Sequence, residues 1–236
     1  MSELPATFGG SRFIRRTAEH RDEIGPGRIW SACGSNSEYA VLQKVLLAEP
    51  SGRERFRGTP DELLYLEFPE PAKLRAQFQA LSETLRTAGV EVVTLEADLE
   101  RWPNLLFLRD LFVMTPRGAV LARPAAMQRA GEEAIVAARL AQARVPLLGM
   151  MVDTACAEGA DVLWLRADRA LVGVGQRTNG EGLEQLRRMF SAWGVALEHV
   201  PVPAGAQHLL GVFNRVDADL AVLDDERAEP RLRALL

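Results

Sequence analysis

Asp110-Leu-Phe-Val-Met-Thr-Pro-Arg-Gly-Ala-Val-Leu-Ala122 and Asp161-Val-Leu-Trp-Leu-Arg-Ala-Asp-Arg-Ala-Leu-Val-Gly173 share one layout: an acidic residue, an apolar strand, a polar turn and a second apolar strand. The copies are offset by 51 positions (161 minus 110). Each is followed by a stretch of helical periodicity, Met127 to Ala143 and Glu181 to Trp193, and then by a short apolar strand, Val145 to Leu148 and Val195 to Val200. The unit is strand, turn, strand, helix, strand. A repeat of this period predicts stacked modules that cover one another's apolar faces.

Working outward, Tyr39 to Pro50 is an apolar stretch closed by proline, and Lys73 to Ala88 carries Leu74, Phe78, Leu81 and Leu85 on one helical stripe. Val90 to Leu95 reads as a strand, so this first module repeats the strand, helix, strand order. A fourth module begins at Leu209. Aligning Arg215-Val-Asp217 with Arg166-Ala-Asp168 sets Leu210 opposite Asp161, and Glu229 to Leu236 is left to supply the helix, with no closing strand after it. Residues 1–27 mix Gly, Pro and both charge signs without periodicity, which predicts a flexible N-terminal tail or a covering arm. Residues 28–236 form one α+β domain of three modules plus a partial fourth.

Across 236 residues the formal net charge is −4, with Lys and Arg spread along the chain, which argues against nucleic acid or an anionic membrane as partner and favours a small molecule. No apolar run reaches the ~18 residues a membrane span requires. Met1-Ser-Glu-Leu-Pro5 lacks the basic and apolar regions of a secretory signal, so a cytoplasmic protein is expected. Two cysteines, Cys33 and Cys156, and three histidines, His20, His199 and His208, show no zinc-ligand spacing, and no metal site is expected.

Four stretches at module spacing, Phe107-Leu-Arg-Asp110 with Phe112, Glu158-Gly-Ala-Asp161, Arg177-Thr-Asn179 and Gln207-His208-Leu-Leu-Gly211, resemble the guanidine-modifying superfamily with the pentein fold. Its members are arginine deiminases, dimethylarginine dimethylaminohydrolases and amidinotransferases. The resemblance implies a pentein-type αβ propeller of ββαβ modules, five in the family, with the site in the central channel. It also implies a guanidino substrate, arginine or a derivative, and no metal or organic cofactor. A guanidinium is planar and cationic, so its site needs carboxylates placed to accept paired N–H bonds; Asp110 and Glu158 are the candidates. In the family a cysteine thiolate attacks the guanidinium carbon and a histidine moves protons. His208 matches that histidine. Catalytic roles thus fall to His208, Glu158 and Asp161, the last as a group that orients its neighbours. Substrate binding falls to Asp110, Phe107 and Arg177, with Arg177 either binding a substrate carboxylate or bracing the acidic cluster.

Two departures from the family pattern stand out. Family nucleophiles lie near the carboxyl terminus, whereas here no cysteine follows Cys156. The expectation is a fragment, a natural form without the reaction, or recruitment of Cys156 as nucleophile. An open ring of modules would expose strand edges, so a homo-oligomer is expected. Deiminases and amidinotransferases commonly carry His-x-Asp at the histidine, and Leu210 stands at that position, which points to a substituted guanidine. The reading is a guanidino-group hydrolase or amidinotransferase-like enzyme; the alternative is a non-catalytic or truncated pentein that binds a guanidino ligand or serves as a scaffold.

Overall fold

In the computed structural model, which describes residues 4–228 and 230–234, both copies of the repeat fold as the sequence suggests. The first module is a parallel pair, β1 (Lys44–Pro50) and β2 (Glu91–Ala97), joined by α1 (Pro71–Thr87). In the second, β3 (Phe112–Thr115) and β4 (Gly118–Leu121) form a hairpin, α2 (Glu132–Gln142) crosses over, and β5 (Leu147–Met150) returns parallel to β4. The third repeats this with β6 (Val162–Arg166), β7 (Arg169–Val174), α3 (Gly180–Ser191) and β8 (Ala196–Pro201). A fourth hairpin, β9 (Phe213–Arg215) with β10 (Ala221–Leu223), is followed by α4 (Pro230–Ala234). Glu229, Leu235 and Leu236 of the expected last helix, and Met1 to Glu3 of the expected tail, lie outside the described residues.

Strands β4, β6 and β7 of the second and third modules read as continuous apolar runs because both faces of their sheets are covered. Along β6, Val162 and Trp164 point into one core with Val172, Leu183, Leu186 and Phe190, and with Val113 and Val120 of the second module. Leu163 and Leu165 point the other way, into a core with Leu209, Phe213 and Leu232 of the fourth. The second sheet divides likewise: Ala119 and Leu121 join Val136, Leu140, Ala48 and Leu95 in a third core. Each of α2, α3 and α4 is thereby wedged between its own sheet and the preceding one.

Local chemistry sets the element ends. Asn179 caps α3 by accepting the Gly182 N–H at 2.8 Å, and Pro71 opens α1, where its missing N–H costs nothing. The helix expected from Met127 to Ala143 is interrupted: Met127–Arg129 is a 3-10 turn and α2 starts at Glu132. Gly131, at φ 100°, holds a conformation a right-handed helix cannot continue, and a Cβ there would press on the Trp102 indole at 2.8 Å. The strand expected from Val145 begins only at Leu147; Val145 is core, and the Pro146 carbonyl accepts the Ala119 N–H.

A second correction concerns register. The 3-10 turns that open the modules are Leu108–Asp110, Gly159–Asp161 and Leu209–Gly211. Gly211, not Leu210, therefore occupies the position of Asp161. Residues 4–30 include two 3-10 turns, and His20 Nε2 lies 3.1 Å from the Arg117 carbonyl. The Arg144 guanidinium donates to the Arg28 carbonyl at 2.7 Å. No helix among the described residues is long and apolar enough to cross a membrane.

Phe190 is fully buried and stacks on Trp164 with centroids 5.5 Å apart, where two modules share a core. Phe190→Ala is expected to cost about 3–5 kcal/mol of stability, read from the midpoint shift in urea unfolding.

Candidate active site

The residue entering each 3-10 turn is Phe107 in the second module, Glu158 in the third and His208 in the fourth. The last residue of the first two turns is acidic, Asp110 and Asp161. Because consecutive turns pack together, equivalent positions from three modules meet at one place.

His208 Nε2 lies 2.7 Å from Glu158 Oε2 and 3.9 Å from Asp110 Oδ1. Asp110 Oδ2 accepts from Arg129 Nη1 at 2.6 Å, and the same nitrogen is 3.8 Å from Glu158 Oε2. Glu158 Oε1 accepts the Ala125 N–H at 3.1 Å and has Arg177 Nη1 at 3.5 Å. Asp161 points elsewhere, accepting the Thr178 hydroxyl at 2.6 Å and the Leu209 N–H at 2.9 Å. The Thr178 hydroxyl in turn accepts the Glu158 N–H at 3.2 Å.

These groups stand at a cavity of roughly 1730 Å³ whose wall includes Phe107, Asp110, Arg129, Arg177 and His208. Glu158 and Asp161 are fully buried behind that wall. The structure thus brings together Asp110, Glu158, His208 and Arg177, sets Phe107 half-exposed beside them, and holds Asp161 in a supporting place. It does not bring Cys156 to the wall; its sulfur is 3.2 Å from Arg123 Nη1. Cys33 does line the cavity, and burial pushes its thiol up, with Lys44 opposing. Among the described residues neither cysteine hydrogen-bonds His208.

Arg129 and Glu132 are the members that the sequence reading missed. Arg129 is 1% exposed, and its Nε donates to Glu132 Oε2 at 2.9 Å. The available signal was Gly131, which stands between the turn that carries Arg129 and the start of α2. Asp110 is paired with this arginine and not with adjacent Arg109.

Burial alone would push Glu158 up, but the hydrogen bond from His208 and the Arg177 charge hold it below the usual carboxylate range. For His208 burial works downward; the Glu158 hydrogen bond and the charges of Asp110 and Asp161 outweigh it and raise the imidazole above 6.5. Burial raises Asp161 to about 6 and Glu132 to about 7, the latter against the pull of Arg129. The Glu158 carboxylate thus favours the charged form of the imidazole it meets at 2.7 Å. Ligand atoms of Asp110, Glu158 and His208 all lie within 4.8 Å of one another, close enough to hold a cation. Arg129 and Arg177 already neutralise those carboxylates.

Inward carboxylates and a histidine on repeated ββαβ modules define a guanidine-modifying pentein. The family model described as "Arginine deiminase" matches residues 97–232, more than half of the chain. This chain belongs to the arginine deiminase family of the pentein superfamily. It is 28% identical over 153 residues to the N(G),N(G)-dimethylarginine dimethylaminohydrolase of Pseudomonas aeruginosa, covering 65% of this chain and 59% of that protein. To the same-named protein of Streptomyces coelicolor it is 35% identical over 131 residues, covering 53% and 48%. With an arginine deiminase of Mycobacterium marinum identity is 30% over 249 residues, covering 92% and 61%. The chain thus spans about half the length of the first two of these relatives. Among solved structures, a Pseudomonas aeruginosa dimethylarginine dimethylaminohydrolase complexed with citrulline superposes with a TM-score of 0.69 at 21% identity, covering 82% of this chain and 74% of that one. An amidinotransferase from Microseira wollei gives 0.65 at 14%, covering 86% and 74%.

Removing the carboxylate that raises the imidazole should lower it: in Glu158→Gln the His208 pKa, followed by NMR of the ring protons, is expected to fall. The linked stability has a definite sign. The imidazole's contribution is fully present below its unfolded value of about 6.5 and is lost as pH rises through the raised folded value. The contribution of Glu158 is present above its unfolded value and lost as pH falls through its depressed one. The fold should therefore be helped most between those limits, and Glu158→Gln should flatten the profile in thermal melts against pH.

Proposed function

We propose that this chain binds and processes a guanidino compound, arginine or a substituted arginine, at the cavity walled by Asp110, Arg177 and His208. One observation carries the reading: an imidazole held on a buried carboxylate at 2.7 Å stands beside a second carboxylate that a buried arginine fixes in place. Asp110 suits the planar N–H pairs of a guanidinium, and the Asp110 face of the cavity is where such a cation would find charge. His208, whose charged form the neighbouring carboxylates favour, suits donation to a leaving amine and later removal of a proton from water. Phe107 offers an apolar surface to the substrate's methylene chain. Arg177 lines the cavity with its Nη1 buried 3.5 Å from Glu158 Oε1, so its charge suits either a substrate carboxylate or the bracing of the acidic cluster. Hydrolase and amidinotransferase outcomes differ in whether water or an amine reaches the family's covalent amidino intermediate.

A second reading, a pentein that binds a guanidino ligand without turning it over, draws support from the position of the cysteines, neither of which meets His208 among the described residues. Incubation with arginine, methylated arginines and other guanidino compounds, followed for citrulline, ornithine, urea or released amine, separates the two. Turnover that falls at least ~100-fold in a folded His208→Asn variant supports the enzyme. Calorimetric binding without product, weakened about tenfold by Asp110→Asn, supports the binder. Absence of both binding and product in folded protein removes both readings. The covalent step needs a thiolate, and Cys33 and Cys156 are the two cysteines this sequence holds. Turnover is expected to be lost in Cys33→Ser or in Cys156→Ser, which identifies the nucleophile, and turnover unchanged in both would remove the covalent mechanism.

A further inference from the structure

Arg109 is a cation in the Leu108–Asp110 turn that the site chemistry leaves unused. While Asp110 is held by Arg129, the Arg109 guanidinium crosses to the next module and donates to the carbonyls of Gly159 and Val162, the second at 2.9 Å. Those two residues bracket the turn that carries Asp161 and directly follows Glu158. Close approach is possible because Gly159 has no side chain; a Cβ there would run into the carbonyls of Arg109 and Phe112. Glu38, on the segment leading into β1, stands at the same junction. Its Oε2 is 3.9 Å from Arg109 Nη2, and its Oε1 accepts the Trp164 N–H at 2.9 Å. Three segments far apart in sequence therefore meet at one guanidinium. At the equivalent turn positions the third and fourth modules carry Ala160 and Leu210, and the next seam is closed by Asp161 accepting the Leu209 N–H.

We propose that Arg109 is a positioning residue that pins the Glu158 turn to the Asp110 turn and so sets the separation of the two carboxylates facing His208. The guanidinium suits this task because its rigid fork reaches two carbonyls at once, which a lysine ammonium on a flexible stem does not. His208 is faced by Glu158, Asp110 and Asp161, with Arg129 and Arg177 beyond Glu158. Slippage of one turn against the other changes that charge pattern without touching a site residue. Only the consequence for turnover rests on the guanidino reading; the geometry stands without it.

The test uses Arg109→Ala and Arg109→Lys in the full chain, with folding checked by circular dichroism and the His208 titration followed by NMR. In Arg109→Ala the imidazole pKa is expected to drop by about one unit, a tenfold change in its protonation equilibrium. Arg109→Lys is expected to shift it the same way by less, and is the variant read if the alanine form does not fold. If the wild type turns over a guanidino compound, kcat/KM should fall about tenfold in step with the titration shift. A wild-type His208 titration in a folded Arg109 variant overturns the proposal. A shifted titration in a protein that neither binds nor converts guanidino compounds keeps the positioning role and removes the functional reading instead.

Discussion

The sheets of the second and third modules each have two apolar faces, and a sheet's own helix can cover only one of them. That constraint organises the molecule. Residues on one side of β6 belong with α3 and the second module, and residues on the other side belong with the fourth. A module taken alone would leave a full strand face in water, and at about 25 cal/mol per Å² of apolar area such exposure outweighs any single polar contact described above. Side-by-side stacking follows, and the turns at the strand entrances are then brought together. The site is a by-product of that stacking, since equivalent turn positions in successive modules must face a common space.

The network around Arg129 shows how the site tolerates so many buried charges. Leaving a lone carboxylate behind the cavity wall would be costly, and its pKa would rise until it became neutral. Here Asp110, Glu132 and Glu158 surround one guanidinium, and Glu158 also has His208 and Arg177. Differences in partner number explain the divergent titrations: Glu158, with most partners, stays ionised, whereas Glu132, held by Arg129 alone and with one oxygen unpartnered, is raised to about 7.

Much of this was legible in the residues. The offset between Asp110 and Asp161 gave the module, and the same spacing led to His208, because a repeated turn repeats its exits as well as its strands. Arg129 is hidden because apolar periodicity in Met127 to Ala143 reads as uninterrupted helix, and the backbone conformations of Ala130 and Gly131 break it. The register at Leu210 slips by one because Arg166 follows the turn residue Asp161 by five positions (166 minus 161), whereas Arg215 follows Gly211 by four (215 minus 211), β9 being shorter than β6. An alignment anchored on the strand ends carries that difference in strand length into the turns before them. The role of Arg109 is not legible in the Phe107–Asp110 motif, since its partners are backbone carbonyls that no side-chain pattern announces.

Thr178 carries one further implication. A hydroxyl has a single proton, and here it points to Asp161, which leaves a lone pair for the Glu158 N–H. The direction of that O–H bond is therefore shared between two acidic residues. Asp161 passes the constraint on to the Leu209 N–H, one residue beyond His208. A side chain that titrates nowhere near neutrality thus acts as the rotor on which the backbone positions of the histidine and its carboxylate partner are jointly set. Serine could reproduce that polarity, but valine, nearly identical in shape, would leave a buried amide and a buried carboxylate each short of a partner.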